Sequence, residues 1–271
     1  MLPRVSTNDT GYLGTVAEAI RTVGCILVED VLSPDLFDDV RAGIDRGLQS
    51  MQETLGAATL LRAGERGVVR APMLASAVFF ELLTLPTVLA IVDALLSPTA
   101  IVHVQNGFAL PPMQPGDADV FQTRFHQDFP RVLNGYLCSI NTLIAIDAFT
   151  PHNGATVVIP GSQQTSQSPN AQTIETRAVS AECPAGAAIV FDSTLWHAAG
   201  INQTTGNRYA VNQQFTRSYF KQQIDYVRCL GNEIVEALPP RTQQLLGWYT
   251  RVPASLSEYY REDRVYRSGQ G

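Results

Sequence analysis

Lysine is almost absent from this chain of 271 residues: of its 19 basic side chains only Lys221 is a lysine, and the arginines are scattered. The net charge is −6 and the sequence pI is near 5.2. No basic patch is available to hold a phosphate backbone, so no nucleic-acid partner is expected. Long apolar runs are missing as well. The longest, "PTVLAIVDALL", is broken by Asp93 and falls well short of the ~20 residues that a membrane span needs. The opening "MLPRVSTNDTG" has no apolar core of the kind a signal peptide carries. The four cysteines, Cys25, Cys138, Cys183 and Cys229, lie far apart and form no CxxC, which reads as reduced, mostly buried thiols. These absences together point to a soluble cytoplasmic protein with no membrane partner. Histidine is equally scarce, with only His103, His126, His152 and His197.

What is present is enough apolar residue, 45% of the chain, for one large domain. No Gly/Ser or Pro-rich linker interrupts it, so residues 1–271 are read as a single domain. Its first part, about 11–97, reads as mostly helical. "TVAEAIRTVG" has helical spacing and stops at Gly24, and "CILVED" follows as a short strand. "SPDLFDDVRAGIDRGLQSM" opens with Ser33 as N-cap and Pro34 in the first turn. "AVFFELLTL" and "PTVLAIVDALL" are two more helices, divided at Pro86. From about 100 to 220 the chain becomes β-branched and aromatic with period-2 alternation. The stretches are "AIVHVQNGFAL", "DVFQTRFHQDF", "YLCSINTLIAIDAF", "ATVVIP", "AAIVFDS" and "NRYAVNQQFTRSYF", separated by turn clusters such as "PPMQPGDAD", "TPHNGA" and "NQTTGN". Many short strands so punctuated predict a mainly β fold, a jelly roll flanked by helices. Residues 221–271 return to helix, with an aromatic, Arg-rich end read as a lid or dimer contact.

The chemistry sits in "FHQDFP". If "DVFQTRFHQDF" is a strand running into a loop, alternation puts Gln122, Arg124, His126 and Asp128 on one face. A histidine and a carboxylate at i, i+2 then point at one site. His197, which follows the strand of "AGAAIVFDSTLW", is the candidate third ligand, since a jelly roll lays distant strands side by side. Two imidazoles and one carboxylate leave positions open on a metal, the facial triad of non-haem Fe(II) oxygenases. A donor set without thiolate fits Fe(II) better than a closed, Cys-rich structural zinc site. The "INQTTGN" segment reads as a hairpin turn that brings Arg208 back antiparallel beside the His197 strand, where a guanidinium can pair bidentately with a carboxylate near the metal.

In "FHQDFP", "IAIDAFTPHNGATVVIPGSQ", "PAGAAIVFDSTLWHAAGINQTTGNR" and the layout of the N-terminal helices, the chain resembles the phytanoyl-CoA dioxygenase family of Fe(II)/2-oxoglutarate oxygenases. The HxD motif, the distal histidine, the "D-x-x-T-P-x-N-G" turn, the "PGS" turn and the His–x10–Arg spacing follow the family's order over roughly residues 15–220. The resemblance implies a double-stranded β-helix (jelly-roll, cupin-like) core. It implies that His126, Asp128 and His197 ligate Fe(II), and that Arg208 pairs with the distal carboxylate of 2-oxoglutarate, whose C1 carboxylate and keto oxygen chelate the metal. By position, Gln105, Thr123 and Asn141 are further cosubstrate candidates. Relatives often carry Ser or Thr two residues after the distal histidine, where this chain has Ala199, so one hydrogen bond to the cosubstrate is put in doubt. Related halogenases replace the carboxylate ligand by Ala or Gly. This chain keeps Asp128, which implies oxygenation or another oxidation. The implied chemistry consumes O2 and 2-oxoglutarate, releases succinate and CO2, and oxidises a C–H bond.

The substrate is expected to be a small or medium-sized organic molecule, an intermediate of specialised metabolism, in a mostly apolar pocket framed by the helices near 70–97 and the "FALPPMQPGDADVF" loop. The chain is expected to work as a monomer or homodimer. Two rival readings remain: a metal-dependent cupin that uses no 2-oxoglutarate, which Arg208 disfavours, and a relative that only binds a ligand. Of the other marked residues, His103 reads as a core or pocket-wall histidine and His152 as solvent-facing. Arg131 is a candidate for an acidic substrate group at the mouth. Asp147 and Asn153 read as organisers of a turn, and Gly107, Gly154, Gly161 and Gly186 as turn glycines.

Overall fold

The computed structural model describes residues 1–114, 120–130 and 133–260. Within them run ten strands: β1 (Arg4–Ser6), β2 (Cys25–Glu29), β3 (Val68–Arg70), β4 (Ile101–Leu110), β5 (Ser139–Ala145), β6 (Thr156–Val158), β7 (Val179–Ser180), β8 (Ala188–Asp192), β9 (His197–Ala199) and β10 (Arg208–Thr216). Seven form one sheet in the order β1-β2-β8-β5-β10-β4-β3, and three form a smaller sheet in the order β7-β6-β9. Only β1 and β2 pair in parallel; the other pairs are antiparallel. Chain order is far from sheet order, the mark of a jelly roll.

Alternation along the large sheet sends its two faces to different cores. In β5, Ile140 and Ile144 pack with the helices, whereas Leu143 and Ala145 pack on the other side with Phe108 and Phe191. Helices α1 (Tyr12–Thr22), α2 (Phe37–Leu55), α3 (Ala57–Ala63), α4 (Val78–Leu83) and α5 (Pro86–Leu95) follow one another in the first hundred residues. Ser33 accepts from the Asp35 N–H and Pro34 opens the 3-10 turn Pro34–Leu36 that leads into α2, so the expected cap serves that turn, while α2 itself starts at Phe37 without a side-chain cap. Val16, Ile20, Val40, Ile44, Phe79 and Leu82 are buried from these helices against Val102, Val190, Val211 and Phe215 of the sheet. Gly107 lies inside β4, not in a turn: a Cβ there would stand 2.8 Å from Ile44 Cγ1, so it sets how closely α2 approaches the sheet.

Three readings are corrected. Residues 120–129 are not a strand: Phe121–Thr123 is a 3-10 turn, and His126 makes a single bridge with His197. Residues 197–208 are not a hairpin: β9 pairs with β6 in the small sheet, and β10 pairs with β4 and β5 in the large one. The helices at 78–95 pack on the far face of the large sheet and frame no pocket inside the roll. The short helices Tyr226–Leu230, Asn232–Glu236 and Pro240–Leu245 join that same layer through Tyr226, Val235 and Leu245. The aromatic, Arg-rich end expected to form a lid or dimer contact begins after these helices: a 3-10 turn, Trp248–Thr250, and a short helix, Leu256–Tyr259, are its described part, and residues 261–271 lie outside the described residues. Cys25, Cys138 and Cys183 are buried and Cys229 is exposed. No helix among the described residues is long and apolar enough to cross a membrane.

Candidate active site

The inner face of the large sheet and the small sheet enclose a cavity of about 120 Å³. Backbone pairing builds the corner of it that could hold a metal ion. His126 and His197 exchange both backbone hydrogen bonds, at 3.0 and 3.1 Å, and the Phe129 N–H donates to Ser193 O at 2.9 Å. The turn after β8 thus clamps residues 126–129, and the two imidazole centroids stand 4.4 Å apart. Asp128 completes the group: its Oδ1 is 3.5 Å from His126 Nε2 and its Oδ2 is 3.6 Å from His197 Nε2. One donor atom from each of the three residues falls within 4.8 Å of the others.

Each ring is locked by the carbonyl two residues before it. Nδ1 of His126 lies 2.7 Å from Arg124 O, and Nδ1 of His197 lies 2.9 Å from Leu195 O. A carbonyl only accepts, so each Nδ1 carries the proton and each Nε2 presents a lone pair to the centre. This is how a protein fixes the tautomer of a metal-ligating histidine. Contacts of 3.5 Å and more are long for hydrogen bonds, so charge dominates what Asp128 does to its neighbours. Burial lowers the His197 pKa, against the opposing pull of Asp128. Burial also works on His126, but there the Asp128 contact prevails and the shift is upward. Burial opposes ionisation of Asp128, and the two histidines overcome it and hold the carboxyl below its usual range. Three groups with two neutral nitrogens and one carboxylate on one corner fit a divalent first-row cation.

Arg208 enters the same cavity from the large sheet. It is 96% buried, its Nη2 donates to Gly154 O at 3.1 Å, and its guanidinium stacks 4.2 Å from the Phe149 centroid. Its Nε is buried without a partner, and no carboxylate among the described residues pairs with it. Burial pulls its pKa down to about 10. A buried cation with an open donor is costly unless an anion arrives to meet it.

The remaining expected residues are divided by the sheet. Gln105 points to the helices: its Nε2 donates to Phe79 O and to Gln213 Oε1, while Gln213 donates to Leu82 O. The two glutamines satisfy carbonyls of α4 and do not line the cavity. Thr123 donates to Val120 O inside its own turn. Asn141 is on the inner face but contacts Asn212, which itself lines the wall. Ala199 lines the cavity, His152 is exposed, and Arg131 lies outside the described residues. Asp147 accepts from the Tyr209 N–H and pairs with Arg41 of α2, and Asn153 bonds Thr150 and Ala148 across its turn. Asn106, Asn212, Arg66 and Arg70 are wall residues that the sequence reading passed over. Alternation back from Arg208 through Ala210 would have reached Asn212.

A family model described as phytanoyl-CoA dioxygenase matches residues 20–210. An uncharacterized protein of Mycobacterium tuberculosis is 50% identical over 100% of both chains. Dioxygenase trt7 of Aspergillus terreus is 25% identical over 86% of this chain and 83% of its own. Among solved structures, EctD from S. alaskensis with bound Fe is similar in fold, with a TM-score of 0.62 at 21% identity over 82% of this chain and 83% of that one.

Proposed function

The chain belongs to the phytanoyl-CoA dioxygenase family, and from that premise we propose that it is an oxygenase dependent on Fe(II) and 2-oxoglutarate. In this reading it oxidises a C–H bond of a small organic molecule and releases succinate and CO2. One observation carries the reading: two carbonyl-locked histidines and Asp128 share a cavity wall with a buried guanidinium that has no anionic partner among the described residues. His126, Asp128 and His197 would hold the metal, and Arg208 would take the distal carboxylate of the cosubstrate. The iron, with 2-oxoglutarate and O2, supplies the oxidising power.

The protein's own contribution is positional. The carbonyls of Arg124 and Leu195 keep protons on both Nδ1 atoms, so neither imidazole needs to rotate or deprotonate to ligate. Arg208, stacked on Phe149 and tied to Gly154, offers its donors from a fixed direction. Phe108, Leu143, Val120 and Phe191 line the cavity with apolar surface and limit the water around the reacting atoms. Succinate formation is the test. Purified protein with Fe(II), O2 and 2-oxoglutarate should form succinate, slowly without a substrate, and His197→Ala should form none. Iron-loaded protein that never consumes 2-oxoglutarate would favour a cupin chemistry without it.

A further inference from the structure

Asn212 of β10 lines the cavity, is 92% buried, and has an Oδ1 with no hydrogen-bond partner. Which amide atom bonds Asn141, and which is left without a partner, follows from a chain of side chains behind it. Ser139 Oγ lies 2.9 Å from Phe215 O. A carbonyl only accepts, so Ser139 spends its one hydroxyl hydrogen there. Ser193 Oγ, 2.8 Å from Ser139 Oγ, must then be the donor between them. Its hydrogen spent, Ser193 accepts from Asn141 Nδ2 at 2.9 Å. Asn141 Oδ1 is left to accept from Asn212 Nδ2 at 2.8 Å. Every link has one permitted direction, and the relay leaves Asn212 with its carbonyl oxygen turned away from Asn141 as a fixed acceptor. Opposite it in register, Asn106 of β4 accepts from Arg70 Nη1 through Oδ1, so the two asparagines of the wall are held in opposite senses.

A fixed acceptor cannot bond a ligand that has only acceptors. 2-Oxoglutarate at neutral pH is a dianion without a donor, so Asn212 Oδ1 is not matched to it. We propose that Asn212 is a specificity-determining residue that accepts a hydrogen bond from an O–H or N–H of the substrate. The substrate class is a mostly apolar organic molecule carrying such a donor near the carbon to be oxidised. This rests on the oxygenase reading for the word substrate, but the acceptor itself belongs to the fold. A buried acceptor left unpaired discriminates strongly against analogues that lack the donor.

The test uses 3-fluorobenzyl alcohol and its methyl ether, which share one apolar ring and differ in the donor. Their dissociation constants are measured by ligand-observed fluorine NMR on the full chain, metal-free and again with Zn(II) and 2-oxoglutarate. The variants are Asn212→Leu and the double variant Asn141→Leu/Asn212→Leu, which removes both polar partners and leaves no orphan between them. Wild type should bind the alcohol at least fivefold tighter than the ether. Both variants should lose that preference to within twofold, and their 2-oxoglutarate affinity should stay within twofold of wild type. The proposal is overturned by a wild type without preference, by a preference that survives in the folded variants, or by a tenfold loss of 2-oxoglutarate affinity. Failure of wild type to bind 2-oxoglutarate contradicts the oxygenase reading instead, and leaves the metal-free comparison to decide the role of Asn212.

Discussion

Replacing Arg208 by Met separates what the fold needs from what the site needs. The guanidinium is 96% buried with one backbone acceptor, one aromatic face and an Nε that bonds nothing. Its favourable contacts amount to about 1 kcal/mol for the Gly154 bond and about 1–2 kcal/mol for the stack on Phe149. Against these stand the desolvation of a cation and an orphaned donor, several kcal/mol together. Apolar replacements of buried charge are often neutral or stabilising by about 1–4 kcal/mol. The metal-free, ligand-free Arg208→Met protein should therefore melt no lower than wild type. Its response to 2-oxoglutarate should be the reverse. Losing the partner of a buried charge costs about 3–5 kcal/mol, which is about 10²- to 10⁴-fold in affinity. At 100 times its dissociation constant a ligand adds about 2.7 kcal/mol to the folded state, or about 5–10 °C for a chain of this size at about 2–4 °C per kcal/mol. A thermal-shift titration with Zn(II) and 2-oxoglutarate should show that rise in wild type and none in Arg208→Met. A variant that is much less stable without ligand, yet still rises with 2-oxoglutarate, would refute the reasoning.

Gln105→Leu should leave 2-oxoglutarate affinity unchanged and destabilise the protein by about 1–3 kcal/mol, because it orphans the Phe79 carbonyl and Gln213 Oε1; a denaturant midpoint and a binding titration check both halves. Cys229 alone should react quickly with a thiol reagent on the native protein at pH 8, since burial pushes Cys25 up to about 12 and Cys138 and Cys183 to about 11; two or more fast thiols per chain would contradict this. Burial lowers His103 and His197, so unfolding takes up protons at those sites and the metal-free protein should lose stability as pH falls through about 6.5. His126 is shifted upward and its contribution is present below that pH, so His126→Ala should steepen the acid loss seen in denaturant midpoints between pH 7 and 5.

The parts of the site written in local chemistry were legible. A histidine and an aspartate two apart, a distant second histidine and an arginine at fixed spacing are read without knowing the sheet order, and the structure brings His126, Asp128, His197 and Arg208 to one cavity. What failed depended on which strands meet. The 197–208 connection looks like a hairpin locally, yet its two ends join different sheets, a choice made by β6, β4 and β5 far away in sequence. Alternation misled at Gln105 for another reason. Both faces of this sheet are covered, so "VQNG" and "VNQQ" carry polar residues on each face, and Gln105 serves the helices while its neighbour Asn106 faces the cavity. The register also slips at Gln214/Phe215, where His103 is the extra residue of β4, and a one-residue slip exchanges the faces. β3 went unread because three residues carry too little pattern.

The central claim is that one cavity holds Fe(II) and 2-oxoglutarate together. Anaerobic titration of the metal-free protein with both, followed by visible absorption, tests it most directly. A weak metal-to-ligand charge-transfer band that requires both components, and that disappears in His197→Ala and Arg208→Ala, is the expected result. Iron that binds without producing the band, or a band that survives both substitutions, would contradict the account.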